Sequence, residues 1–115
     1  MKFKTKDQKD VTVIELKDNV MGGPDASELN QELNKLLEAG KRKFVINLSE
    51  VKFMNSSGLG MMIGTLTSVR NAGGELRLAA ATKKIETLLT VTKLTTIFQR
   101  FDTVKDAVES FKQQR

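Results

Sequence analysis

Apolar and polar residues follow one another along the chain in a pattern that predicts strands and helices in regular succession. Lys2 to Lys6 alternates, with Phe3 directed inward, and Val11 to Leu16 is a second strand-like segment. The turn between these strands is expected across Asp7 to Asp10. The first sixteen residues therefore predict a β-hairpin.

Two amphipathic segments flank the most apolar strand of the pattern. The breaker cluster Met21 to Asp25 precedes a helical segment, and Gly40 is expected to end it. Lys43 to Leu48 is nearly all apolar, which is typical of a central strand covered on both faces. A second helix is predicted from Leu59 to Val69, ending at Asn71 to Gly74. The apolar positions of the first helix are Ala26, Leu29, Leu33, Leu36 and Leu37.

The last forty residues or so repeat the alternation of strand and helix. Glu75 to Ala80 predicts a strand, the apolar positions between 85 and 89 predict a third helix, and Ile97-Phe98 is expected to add an edge strand. Asp102 or Thr103 is expected to cap the last helix. Its apolar positions are Val104, Ala107, Val108 and Phe111.

The predicted order, β-β-α-β-α-β-α-β-α, defines an α/β fold. It indicates a mixed, mostly parallel sheet of four to five strands with about four helices packed on it. A length of 115 residues without low-complexity stretches fits one domain, residues 1–115.

The composition excludes several kinds of reactive group and binding site. The chain has no Cys and no His, which excludes disulfides, thiolate nucleophiles, cysteine-bound zinc and the usual base of a serine hydrolase. No enzyme activity, metal or cofactor is therefore expected. No apolar stretch is long enough for a membrane span, so we expect a cytoplasmic protein without membrane insertion.

The basic residues outnumber the acidic ones, 19 to 14, for a net charge of +5. With six Phe and no Trp or Tyr, the chain offers no stacking platform for bases, so no direct nucleic-acid partner is expected. The bases indicate a solvated surface that can meet an acidic partner.

Ser57 lies in the segment with the most informative local chemistry, where two serines and two glycines follow the central strand. At a helix start the first backbone N–H groups lack partners and carry partial positive charge, so a phosphoryl group finds donors there. The alternative is that Ser57 is an N-cap and nothing more.

Three catalytic or nucleotide-binding motifs built on a strand, a glycine turn and a helix are not matched. No lysine follows Gly58 or Gly60 as a P-loop requires, and a nucleophile elbow would need a histidine. The spacing of Gly58, Gly60 and Gly64 does not fit a dinucleotide fingerprint.

The segment VINLSEVKFMNSSGLG at residues 45–60 resembles the signature of the STAS domain, the family of bacterial anti-sigma-factor antagonists. The similarity extends to the Gly-Pro-Asp turn at 23–25, the Asn-Ala-Gly-Gly helix end at 71–74 and the segment IFQRFDT at 97–103. The resemblance therefore spans nearly the whole chain.

The resemblance implies a partner switch rather than catalysis. The unphosphorylated antagonist binds an anti-sigma factor that is a GHKL-type serine kinase and thereby frees the sigma factor; phosphorylation of the antagonist ends binding, and a serine phosphatase resets it. The phosphorylated serine matches Ser57. ATP would be used by the kinase, and the chain itself is expected to be a monomer or weak dimer.

The same resemblance assigns a partner-binding role to residues around the serine. They are Asp25, Asn55, Ser56, Gly58, Leu59, Gly60 and Met61. Glycines at 58 and 60 would let a partner approach closely, whereas an ordinary core position is the alternative for Met61 and the preferred one for Leu59. Helix capping or a first-turn acid is the more ordinary role for Asp25.

Two positions depart from the family pattern, because Asn47 and Asn55 stand where many members carry Asp. The loss of charge leaves two outcomes open: slow or absent phosphorylation with constitutive binding, or easier acceptance of a phosphate. Two other functions are also open: an accessory subunit of a transport or signalling complex, and a nucleotide-binding STAS domain.

Overall fold

The computed structural model describes residues 2–113, which form one α/β domain of five strands and four α-helices. The strands are β1 (Phe3–Gln8), β2 (Val11–Leu16), β3 (Lys43–Asn47), β4 (Glu75–Ala79) and β5 (Arg100–Phe101). The helices are α1 (Pro24–Glu38), α2 (Ser56–Asn71), α3 (Lys83–Val91) and α4 (Val104–Ser110), with short 3₁₀ turns at Leu94–Thr96 and Phe111–Gln113.

The sheet is mixed and mostly parallel, as the order of elements predicts. Its strand order is β1-β2-β3-β4-β5, with β1 antiparallel to β2 and the other neighbours parallel. Phe44, Val45 and Ile46 of β3 are each 0% exposed. The predicted central strand covered on both faces is therefore confirmed.

The helices divide unequally between the two faces of the sheet. Helices α1, α2 and α3 bury their apolar stripes against one face, in a core that includes Ile14, Phe44 and Leu78. Helix α4 covers part of the opposite face, packing on Val13 and Val45. Side chains alternate between faces along a strand, so neighbours such as Phe44 and Val45 serve different cores.

The positions of several turns and caps follow the predicted chemistry. Gly40 adopts φ +91° directly after α1, where its N–H donates to the carbonyl of Leu37 at 3.0 Å. Thr103 caps α4, since its Oγ1 accepts from the N–H of Asp106 at 3.0 Å. The alternative cap, Asp102, is therefore not used.

Two boundaries differ from the sequence-based expectation. The hairpin turn is confined to residues 9 and 10, because β1 continues through Gln8 and pairs it with Val11. The edge strand is Arg100–Phe101 and not Ile97-Phe98. Phe98 is instead 2% exposed in the larger core, and the ladder to β4 is made further along the chain.

Arg77 is a buried cation that the apolar pattern of β4 does not reveal. Its side chain is 2% exposed, its guanidinium lies 4.0 Å from the centre of the Phe111 ring, and Nη1 donates to Ser110 Oγ at 2.5 Å. Burial lowers the pKa of Arg77, although a guanidinium stays protonated at neutral pH. These contacts attach the end of α4 to the sheet.

No helix within residues 2–113 is long and apolar enough to cross a membrane.

Acid should weaken a set of ion pairs around the hairpin. Lys41 holds the pKa of Asp7 below its usual value through a 2.9 Å contact, and Lys43 does the same for Asp10 at 2.6 Å. A carboxyl whose pKa is lower in the folded chain stabilises it above the ordinary carboxyl pKa, and this contribution is lost as the pH falls through the lowered value. We expect the urea midpoint to fall between about pH 5 and pH 2.

High salt and one substitution test whether these ion pairs cause the fall of the urea midpoint. High salt should narrow the difference in midpoint between neutral and acid pH, because the pairs are exposed. Lys41→Met should narrow it also, since Asp7 then loses the partner that lowers its pKa. If neither high salt nor Lys41→Met altered the fall of the urea midpoint at acid pH, groups other than Asp7 and Asp10 would be responsible for it.

Candidate functional site

Two loops meet at the carboxyl ends of the parallel strands, the edge at which α/β sheets commonly present binding sites. Loop 17–23 follows β2 and loop 48–55 follows β3. The N–H of Val20 donates to the carbonyl of Phe53 at 3.1 Å, and the N–H of Asn55 donates to the carbonyl of Val20 at 3.3 Å. Through these bonds and a bridge between Val20 and Met54, the two loops form one unit.

The Asn19 side chain strengthens the same connection. Its Oδ1 accepts from the N–H groups of Lys52 and Phe53 at 3.1 and 3.0 Å. One amide oxygen therefore satisfies two backbone donors of the neighbouring loop, which would otherwise depend on water.

Helix α2 begins at Ser56, and its N-cap is Asn55. Oδ1 of Asn55 accepts from the N–H of Gly58 at 2.7 Å, while the Asn55 backbone is still extended, with φ −91° and ψ −179°. The interpretation of Ser57 as the N-cap was wrong, because Ser57 is already the second residue of the helix. The Ser57 hydroxyl therefore does not cap the helix.

Ser56 and Ser57 are both exposed. Within the described chain, the Ser57 hydroxyl makes no hydrogen bond, and the N–H groups of Ser56 and Ser57 lie in the helical turn that lacks intrahelical acceptors. No acidic residue stands in this first turn. The helix start thus combines an accessible hydroxyl with unneutralised donors.

Gly22 packs against Ser57 from the neighbouring loop. A Cβ built on Gly22 would lie 2.6 Å from Cβ of Ser57, and Gly22 has φ +79°. Both the contact and the backbone conformation require glycine at this position.

Gly58 also permits a close contact, in this case with the backbone of Val20. Gly58 is buried, and a Cβ there would lie 2.0 Å from the carbonyl oxygen of Val20. The expectation that Gly58 lets a partner approach is therefore corrected: the missing side chain admits the backbone of loop 17–23. Gly60 differs, since it is exposed and a Cβ there would meet nothing within 4 Å.

The structure also decides between surface and core for the two apolar residues of the motif. Met61 is 8% exposed and belongs to the larger core, which corrects its assignment to the partner-binding surface. Leu59 is half-buried against the same core, as the preferred interpretation held.

Asp25 lies in the first turn of α1, where its N–H donates to the carbonyl of Gly22 at 3.3 Å. Pro24 precedes it as the first helical residue, a position where the absence of an N–H has no cost. An acid there interacts favourably with the helix dipole. Asp25 thus follows directly on the loop that contacts Ser57.

Three exposed apolar side chains near this edge escaped the sequence analysis. Phe53 is 42% exposed, Met21 is 43% exposed and Val91 is 73% exposed. The available signal was the single aromatic residue of loop 48–55, three residues before the serine pair. Phe53 and Val91 line one groove of about 240 Å³, and Nζ of Lys84 lies 5.6 Å from the Phe53 ring centre. The other lining residues are Met54, Ile85, Thr87 and Leu88.

The described residues contain no group of three or more Asp and Glu side chains arranged to hold a metal ion. The start of α2 presents an exposed serine hydroxyl, and the loops that adjoin it carry the exposed apolar residues Met21 and Phe53. The structure is that of a single α/β domain with a five-stranded mixed sheet.

Comparison with known proteins identifies the family. The chain matches the STAS domain over residues 2–107 and belongs to that family. A Thermotoga maritima relative named among the anti-sigma factor antagonists is 30% identical over 81 residues, covering 70% of this chain and 72% of that protein. The anti-sigma-B factor antagonist of Staphylococcus aureus is 33% identical over 67 residues, 58% of this chain and 62% of that one.

Solved structures agree with this assignment. TM1081 of Thermotoga maritima, also named with the anti-sigma factor antagonists, superimposes with a TM-score of 0.86 at 26% identity, over 96% of this chain and 95% of that one. The murine anion transporter Slc26a9 contains a similar domain, with a TM-score of 0.76 at 11% identity over 95% of this chain and 19% of that one. The latter likeness shows a shared fold alone.

The two glycines of the motif provide a matched test of the site's architecture. Gly58→Ala should lower the free energy of unfolding by about 2 kcal/mol or more, because the new methyl group overlaps the Val20 carbonyl. Gly60→Ala should raise it by about 0.5–1 kcal/mol, as alanine does in an unobstructed helix. Urea denaturation measures both. Equal effects would show that the loop contact does not constrain residue 58.

Proposed function

We propose that this protein is an anti-sigma-factor antagonist that binds a serine-kinase anti-sigma factor while Ser57 is unmodified and is released when Ser57 is phosphorylated. The observation that supports this most directly is the exposed Ser57 hydroxyl at the start of α2, which has no hydrogen bond to any described residue. The two loops that adjoin this helix start carry the exposed apolar residues Met21 and Phe53. The names of the relatives support the regulatory class.

Phosphorylation at this position suits the local electrostatics. The Ser57 oxygen would attack the terminal phosphorus of ATP held by the kinase, ADP would leave, and a base of the kinase would take the hydroxyl proton. The product carries about −1.5 to −2 charges. The N–H groups of Ser56 and Ser57 and the positive end of the helix dipole stabilise these charges, and no first-turn carboxylate opposes them.

The same charge would disrupt a contact. A partner that covers Ser57 together with the exposed Met21 and Phe53 must remove water from the surface that it covers. A phosphate there is either buried without a partner, at a cost of several kcal/mol, or keeps the surfaces apart. One modification can then end binding while the domain stays folded.

The departures at Asn47 and Asn55 are compatible with this switch. Oδ1 of Asn47 accepts from the N–H of Ser49 at 3.0 Å, and Oδ1 of Asn55 caps Gly58. Each amide oxygen supplies the acceptor that its turn or helix start needs. At the start of α2, Asn55 does so without adding a negative charge. Of the two open outcomes, easier acceptance of a phosphate is the one we propose.

Charge variants of two serines on α2 test the switch. Ser57→Asp should weaken binding to the kinase by about 100-fold or more, the equivalent of roughly 3 kcal/mol. Its unfolding free energy should change by less than about 1 kcal/mol, because the side chain is exposed. Ser68→Asp, at an exposed serine further along the same helix, is the matched control and should bind as wild type does.

Affinity capture from the native host with wild type, Ser57→Ala and Ser57→Asp identifies the partner, and phosphosite mapping locates the modification. The proposal expects a serine kinase on wild type and Ser57→Ala only, with phosphate on Ser57. Equal capture of one partner by all three, without phosphate on Ser56 or Ser57, would sink the switch. A transport ATPase recovered in that way would favour the accessory-subunit alternative.

The apolar groove between Phe53 and Val91 should contribute to the same contact. Val91→Ser removes an apolar side chain that is 73% exposed, so stability should change by less than about 0.5 kcal/mol. Kinase affinity should fall by about fivefold or more, the effect of losing ~1 kcal/mol of apolar contact. Titration calorimetry measures the affinity.

Thr67→Ser, on an exposed position of α2, serves as the control for a small change at the surface. It should leave affinity unchanged. An unchanged affinity for Val91→Ser would place the groove outside the contact, and the role proposed for Ser57 would then rest on the charge variants.

A further inference from the structure

The outer edge of the sheet, at β1, has the features of a second docking surface. We propose that β1 accepts an extended acidic segment of a partner protein as a sixth strand, with the segment's carboxylates in the cleft beside Lys4 and Lys6. This proposal does not depend on the Ser57 switch, because none of its residues belongs to the loops around Ser57.

The backbone of β1 has one side free. The N–H of Lys17 donates to the carbonyl of Lys2 at 2.8 Å, which identifies Lys2 and Lys17 as a hydrogen-bonded pair. Such pairs alternate in an antiparallel ladder, so in this register Lys4, Lys6 and Gln8 also direct their N–H and C=O groups toward β2. The groups of Phe3, Thr5 and Asp7 therefore point outward, and within residues 2–113 no strand pairs with β1 on that side.

The side chains on one face of this edge are predominantly basic, and Glu50 and Glu109 interact with Lys4 and Lys105 only at longer range. Lys4 and Lys6 lie on the face that α4 covers only in part, and with Lys105 of α4 they line a cleft of about 330 Å³. None of these three lysines forms an ion pair with a residue in the described part of the chain. Glu15, the carboxylate in the cleft, is paired with Lys17 at 3.2 Å.

Charge complementarity and strand geometry together define the occupant. In an added antiparallel strand, residues opposite Lys4 and Lys6 would form the close, non-hydrogen-bonded pairs, with side chains on the cleft face. Lys4 and Lys6 are two positions apart, roughly 7 Å, which is the spacing of alternate residues in an extended chain. The pattern that fits is Glu-x-Glu or Asp-x-Asp.

The lysines also argue against a second copy of this chain as the occupant. An antiparallel pair of β1 strands would bring lysines from both copies onto one face, and like charges across a strand pair are destabilising. Lysine on an edge strand commonly prevents such association. Pairing of two β1 strands is thus unfavourable, whereas pairing of β1 with an acidic strand is favourable.

The test uses two fluorescein-labelled peptides of identical composition at low salt. One alternates glutamate with threonine, and the other repeats Glu-Glu-Thr-Thr, so that no two of its glutamates are two positions apart on one face of the strand. Fluorescence anisotropy should show about tenfold tighter binding of the alternating peptide, because it alone places carboxylates opposite both lysines. Hydrogen exchange followed by NMR should show new protection of the Phe3, Thr5 and Asp7 amides in that complex.

Three variants distinguish addition of the peptide to β1 as a strand from nonspecific electrostatic binding. Thr5→Pro removes an outward N–H, which edge strands tolerate, and should weaken the alternating peptide by at least about fivefold. Lys4→Glu/Lys6→Glu should weaken it by at least about tenfold. Lys83→Glu/Lys93→Glu makes the same charge change on exposed residues elsewhere and should cost less than about threefold.

Equal binding of the two peptides would overturn the proposal, and so would an absence of new protection at the three outward amides of the wild-type chain. The amide measurement needs no substitution, so it decides the matter even if Thr5→Pro fails to fold.

Discussion

The arrangement of the candidate site depends on one backbone contact, the approach of Gly58 to the carbonyl oxygen of Val20. A Cβ at residue 58 would lie 2.0 Å from that oxygen, so only glycine permits α2 to begin where it does. The contact sets loop 17–23 against the first turn of α2, and the hydrogen bonds of Val20 and Asn19 then hold loop 48–55 to it. Ser57 is exposed at this junction, next to Gly58, whose N–H donates to Asn55 and whose Cα packs on Val20.

Within a few residues of this contact, some side chains are committed to the fold and others are exposed. Asn55 and Gly58 are committed to the helix start, and Met61 to the core, whereas Ser56, Ser57 and Gly60 are exposed. A modification of an exposed side chain on a rigid backbone changes the surface without demanding rearrangement below it. Under the switch that we propose, modification of Ser57 would change the binding surface while the fold stays constant.

Local chemistry made most of the fold predictable. Helix periodicity, the stop at Gly40 and the apolar run of β3 each have a short-range cause, and the structure agrees with all of them. The failures have long-range causes. The strand at Ile97-Phe98 was wrong because burial of Phe98 in the core took precedence over pairing, and the polar side chain of Arg77 is buried only because Phe111 and Ser110 return to cover it.

The sequence by itself determined the order of the elements, the α/β class and the absence of Cys and His chemistry, since all of these follow from residue types and their spacing. Tertiary structure alone decided which motif residues reach the surface. The exposure of Phe53, the internal use of Gly58 and the free edge of β1 depend on which backbones come together, and contacts between residues distant in sequence leave no periodic signal in the chain.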